Sequence, residues 1–120
     1  MNRILFTAEF ERRIKPLAKK YRTLQTNIDS LGVKLVKNPF LGESYGSNLY
    51  KIRVADESKG KGKSGGFRVL YYLAIKKEDS IDILLMTIYD KGEFDTIKKK
   101  DAELLLQKVL AELKNKKDGA

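Results

Sequence analysis

Apolar residues along the 120-residue chain fall into two rhythms, and the switches between them mark out the elements. Ile4-Leu5-Phe6 is a short apolar run, read as an opening strand. Phe10, Ile14, Leu17 and Tyr21 then recur at helical spacing. Thr7 stands before them as an N-cap, with Glu9 and Glu11 in the first turn, where the helix dipole favours anions. Pro16 lies inside this pattern and predicts a kink or break near Lys15. Leu24, Ile28, Leu31 and Leu35 form a second, cleaner stripe. Asn38-Pro39 ends it, because the residue before a proline leaves the α region. Together the two stripes predict a helical hairpin laid over a sheet.

Residues 40–48, with Gly42, Gly46 and Ser47, read as a loop. The period then becomes two. Leu49 to Ala55 alternates, with Tyr50, Ile52 and Val54 on one face and Lys51, Arg53 and Ala55 on the other. Phe67 to Leu73 is rich in aromatic and β-branched residues and carries one charge, Arg68. Paired as a hairpin, the two strands can bring Lys51, Arg53 and Arg68 to one face. The connection, Glu57 to Gly66, is glycine-rich and reads as a mobile arm whose Lys59, Lys61 and Lys63 reach phosphates. Ser80–Tyr89 is almost continuously apolar, the mark of a central strand buried on both faces. An amphipathic helix follows from about Lys98 to Lys116, with Ala102, Leu105, Leu106, Val109, Leu110 and Leu113 on one side. The order β-α-α-β-β-β-α describes a single domain over residues 1–120, a mixed α+β sandwich.

Composition narrows the chemistry. The chain contains neither cysteine nor histidine, which rules out thiolate or imidazole metal sites, disulfides and a Ser-His type triad. No stretch approaches the roughly 18 apolar residues of a membrane span, and Arg12, Arg13 and Lys15 arrive too early for a signal peptide. The expectation is a cytoplasmic protein without a membrane partner. A net charge of +9 is concentrated before residue 74. Residues 1–48 carry nine Lys/Arg against four Asp/Glu, residues 49–73 six against two, and the remainder ten of each. Such an excess points to a polyanion, most simply nucleic acid, bound by the hairpin and the helices before it. Arg12, Arg13, Lys19 and Lys20 are the helical candidates. Gly62-Lys63-Ser64 is no phosphate-binding P-loop: position 57 is Glu where that motif needs glycine, and a strand follows instead of a helix.

Three segments carry a resemblance: Tyr50-Lys51-Ile52-Arg53, Lys61-Gly62-Lys63-Ser64-Gly65-Gly66-Phe67-Arg68-Val69, and Thr87-Ile88-Tyr89-Asp90-Lys91. The chain resembles the RelE/HigB toxins of bacterial type II toxin–antitoxin systems, over nearly its whole length. The resemblance implies a RelE-like fold, a small, mostly antiparallel sheet with an N-terminal helical hairpin and a C-terminal helix. It also implies binding at the 30S ribosomal A site, cleavage of the mRNA there, no cofactor, and silencing by a cognate antitoxin, often a helix-turn-helix protein. By the same resemblance Lys51, Arg53 and Arg68 match the family's basic residues, and Lys91 lies close to a further one. The family's tyrosine near the start of the last helix has no counterpart in Phe94-Asp95-Thr96-Ile97, which leaves the general acid open. Glu93, Asp95 and Tyr89 stand nearby.

The implied reaction is transphosphorylation, in which a 2′-hydroxyl attacks the adjacent phosphate and expels a 5′-oxygen. It needs a base, an acid and cations around the transition state. With no histidine present, Lys51 is the expected base, its pKa lowered by Arg53 and Arg68. Arg68 is the expected clamp on phosphate oxygens, and Lys91 adds charge or protonates the leaving oxygen. Two alternatives share the charge pattern: a ParE-like toxin that binds DNA gyrase, and a basic RNA-binding module without catalysis.

Overall fold

The computed structural model describes residues 1–59, 66–76, 79–92 and 97–118, with side chains as far as Lys114. In chain order the elements are β1 (Arg3–Phe6), α1 (Ala8–Lys20), α2 (Leu24–Lys37), β2 (Glu43–Gly46), β3 (Leu49–Val54), a 3-10 turn (Glu57–Lys59), β4 (Phe67–Ile75), β5 (Ile81–Asp90) and α3 (Lys99–Asp118). The strands form one sheet in the order β1-β5-β4-β3-β2, with β1 parallel to β5 and every other pairing antiparallel.

Thr7 caps α1 as its position predicts. Its hydroxyl accepts from the Phe10 N–H at 3.1 Å and donates to the Leu85 carbonyl at 2.9 Å, so the cap also fixes the helix start to β5. Of the kink or break expected near Lys15, the break does not occur: α1 runs from Ala8 to Lys20 through Pro16. A helix-interior proline costs about 3 kcal/mol. Burying Phe10 and Ile14 on this helix returns about 3–6 kcal/mol. Pro16 also lies on the exposed side of the helix.

On α2 the predicted stripe, Leu24, Ile28, Leu31 and Leu35, is buried throughout. It joins Phe10 and Ile14 against Val54, Phe67, Val69, Tyr71, Leu73, Ile83, Leu85 and Ile88, so the helical hairpin covers one face of the sheet. Helix α3 covers part of the other face, where Ala102 and Val109 meet Leu49, Leu70, Leu84, Met86 and Tyr89. Its apolar stripe extends further than its seat: Leu110 and Leu113, on the same side as the rest, are 40% and 39% exposed. Central β5 matches its continuous apolar run, buried from Asp82 to Tyr89 between β1 and β4.

The segment read as a loop contains a strand. Glu43–Gly46 pairs antiparallel with β3 and turns back through Ser47 and Asn48, both at positive φ (55° and 62°). Two successive left-handed residues are the signature of a tight type I′ hairpin turn, whose twist matches that of the strands it joins. At the other end of β3 the chain re-enters β4 through Gly66, where an added Cβ would stand 2.7 Å from the Val54 carbonyl oxygen.

Candidate active site

Strand register decides which side chains meet. Arg53 lies directly opposite Arg68, and Arg68 directly opposite Tyr89. One step along the sheet, Glu43 lies opposite Lys51 and Lys51 opposite Leu70. Cross-strand partners project to the same side, about 4.5–5.5 Å apart at Cβ. Two rows therefore cross the face that α3 only partly covers: Glu43, Lys51, Leu70 and Arg53, Arg68, Tyr89. The three cations expected to share a face do so. Like charges set opposite each other destabilise a sheet, so Arg53 facing Arg68 is a feature that packing alone does not favour.

Lys51 departs from its expected state. Its ammonium sits 3.4 Å from the Glu43 carboxylate and 5.4 Å from the centroid of the Tyr45 ring. Partial burial works against the charge, but Tyr45 and Glu43 outweigh it and hold the pKa above the ordinary lysine value. The depression expected from Arg53 and Arg68 is absent. The ion pair with Glu43 and the Tyr45 ring favour the cationic form of Lys51.

Both partners of Lys51 come from β2, the strand that the sequence reading missed. The register of β2 on β3 shifts between Ser44 and Gly46, a bulge at Tyr45. The Tyr45 hydroxyl donates to the Ile97 carbonyl at 3.1 Å, tying β2 to the segment that leads into α3. Tyr89 lies beneath, almost wholly buried. Burial pushes its phenol above the usual value, helped by Tyr45, while Lys51 and Arg68 pull the other way. Glu43 and Tyr45 left one readable trace: they are two apart, as residues on one face of a strand must be, just before an Asn-containing turn.

A buried phenol sets where β2 begins. Tyr71 donates to the Pro39 carbonyl at 2.9 Å and accepts from the Gly42 N–H at 2.9 Å. A side chain at Gly42 would stand 2.7 Å from the Lys51 carbonyl oxygen and 2.9 Å from the Tyr71 hydroxyl, so this approach requires glycine.

The remaining candidates divide. Lys59 is not on a free arm. It lies in the Glu57–Lys59 turn, ion-paired with Asp90 and 4.8 Å from the centroid of the Phe67 ring, with its side chain 12% exposed. That turn is itself pinned by Asp56, which accepts from Thr23 Oγ1 at 2.7 Å, Asn27 Nδ2 at 2.6 Å and the Ser58 hydroxyl. Lys61 and Lys63 lie outside the described residues, as do Glu93 and Asp95. Lys91 follows β5, its N–H directed at the Gly66 carbonyl at 3.3 Å. The helical cations are not collected with the others, because α1 packs on the opposite face of the sheet. There Arg12 pairs with Glu9, Arg13 Nε donates to the Ile88 carbonyl at 3.4 Å, Lys20 stands 5.4 Å from the Tyr21 ring centroid, and Lys19 is exposed. Among the described residues no group of three or more acidic side chains is placed to hold a metal ion, and no helix is long and apolar enough to cross a membrane.

No family model matches the chain. Its structure is similar to that of the E. coli toxin RelE, solved as a double arginine-to-alanine mutant in the free state. The TM-score is 0.51 at 14% sequence identity, over 92% of this chain and 95% of that one. At that identity the likeness is one of architecture: this chain has the α+β fold of RelE, a five-stranded, mostly antiparallel sheet between a helical hairpin and a C-terminal helix.

Proposed function

We propose that this protein is the toxin of a toxin–antitoxin system and a metal-independent endoribonuclease that cleaves mRNA in the A site of the translating ribosome. The observation that carries this reading is the cationic row on a RelE fold: Arg53 opposite Arg68, with Lys51 on the same face. Two guanidiniums facing each other are unfavourable alone and favourable once phosphate oxygens lie between them. Arg68 and Arg53 grip the phosphate as charge builds on it. Lys51, held protonated, stands ready to protonate the leaving 5′-oxygen. Lys91 and the loop lysines Lys61 and Lys63 add attraction for the mRNA and the 30S subunit, and the ribosome supplies the in-line alignment of 2′-oxygen and phosphorus. A cognate antitoxin, on this reading a helix-turn-helix DNA-binding protein, keeps the toxin silent in the cytoplasm.

Expression of the chain alone is expected to arrest bacterial growth and to create new 5′ ends within codons of translated messages, mapped by primer extension. Removing the start codon of a reporter message should abolish its cuts. Growth arrest with intact messages and blocked DNA replication would instead identify a gyrase-directed toxin. Cuts that persist without a start codon would refute ribosome dependence.

A further inference from the structure

With Lys51 ion-paired to Glu43 and favoured as a cation, the 2′-hydroxyl proton needs another acceptor. The described carboxylates narrow the choice. Asp56 is enclosed by the hydroxyls of Thr23 and Ser58 and the amide of Asn27. Asp90 is bound by Lys59 and by the Gly92 N–H at 2.9 Å. Asp82 is buried between Arg3 and Lys76 at the other end of β5. Glu43 alone among these is on the cationic face, opposite Lys51, with its side chain 71% exposed and open to a ligand.

We infer that Glu43 is the general base of the cleavage, working as a pair with Lys51. The inference rests on the ribonuclease reading above. In the resting state the carboxylate and ammonium neutralise each other at 3.4 Å. Lys51 is the fixed member, 21% exposed beside the Tyr45 ring, and Glu43 the movable one on an edge strand. An incoming phosphodiester, drawn to Lys51, Arg53 and Arg68, displaces the carboxylate sideways toward the ribose. Glu43 then accepts the proton of the 2′-hydroxyl as the 2′-oxygen bonds to phosphorus. The bond from phosphorus to the 5′-oxygen breaks, and Lys51 gives that oxygen a proton. The products are a 2′,3′-cyclic phosphate and a 5′-hydroxyl end. Glu43 is left protonated and Lys51 neutral, close enough for the proton to return and restore the pair. No outside reactant is consumed.

The test is single-turnover cleavage on ribosomes programmed with a defined A-site codon, using the full chain. Glu43→Gln should fold as the parent does, by circular dichroism and melting, because the side chain is exposed. It should lower the rate constant by roughly 10²–10⁴-fold, the range for loss of a general base. Glu43→His should retain part of the rate and make it fall as pH drops below about 6.5, the ordinary imidazole pKa, a limb that the Gln variant lacks. If Glu43→Gln cleaves as fast as the parent, or faster through tighter binding, Glu43 is only a counter-ion that the phosphate pushes aside, and the inference is overturned. A parent chain that cuts no programmed message would fail the ribonuclease reading itself, and is thereby distinguished from failure of the Glu43 assignment.

Discussion

At the start of β5, Arg3 grips Asp82 at 2.7 and 3.2 Å and Lys76 approaches it at 3.5 Å, with the carboxylate side chain only 6% exposed. Across the same sheet, Lys51, Arg53 and Arg68 share a face with Glu43, a carboxylate that stands mostly in water. The first arrangement puts the anion in the middle, shields it from solvent and lets two cations close around it. The second puts the cations in the middle and the anion at the edge. A buried centre of charge surrounded by its counter-ions is complete and serves the fold. A cationic centre with a movable anion at its rim can exchange that anion for a ligand.

Substitutions at three positions would break or sharpen this contrast. Arg68→Ala is expected to have the largest effect: a loss of roughly 10²-fold or more in single-turnover cleavage, the scale of one lost transition-state donor. Its melting temperature should hold or rise, because Arg53 loses a like-charged partner. Arg68→Lys should restore little, since an ammonium cannot grip two oxygens at once. A large loss of stability with unchanged cleavage would reverse the comparison.

Lys59→Ala should do the opposite. Its partner Asp90 is 17% exposed at the side chain and would be left without its ammonium, costing about 1–3 kcal/mol in denaturant unfolding. Cleavage per folded molecule should remain near that of the parent. A normal unfolding midpoint would show that the Lys59–Asp90 contact does not hold the turn in place.

Asp82→Asn should have the smallest effect, a fall in melting temperature of about 2–4 °C at neutral pH with cleavage unchanged. The hydrogen bond from Arg3, aided by the charges of Arg3 and Lys76 and opposed by burial, holds the Asp82 carboxyl below its ordinary value. A carboxyl whose pKa is lower folded than unfolded stabilises the fold above the unfolded pKa, about 3.9. That contribution drains away as pH falls through the lower, folded value. The parent's advantage over Asp82→Asn should therefore shrink as pH falls below about 4. Parallel melting curves across that range would refute the assignment.

Much of the fold was legible because burial imposes a period. The four-residue stripe of α2 and the unbroken apolar run of β5 could take few other forms, and both occur as read. Pro16 does not end α1 because the rule for proline is local, while Phe10 and Ile14, packed into the core, hold the helix on the sheet. Strand β2 was missed because an edge strand of four residues, Glu-Ser-Tyr-Gly, buries too little to leave a pattern. The same omission hid Glu43 and Tyr45, and with them the state of Lys51. Alternation alone put Lys51 and Arg53 on one face, and register then added Arg68. The protonation of Lys51 depends on neighbours from a strand whose presence the sequence did not announce.

Tyr71 joins two properties that are often inherited separately. Its ring is wholly enclosed and stacks on Tyr50 with centroids 5.3 Å apart, while its hydroxyl holds the backbone at Pro39 and Gly42, immediately before Glu43. Loss of that one oxygen leaves the hydrophobic interior filled but unties the start of β2 and strands the Pro39 carbonyl and the Gly42 N–H, at a cost of about 1–3 kcal/mol. Drift at an interior position would then be felt first at the cationic face, without a single surface charge being touched.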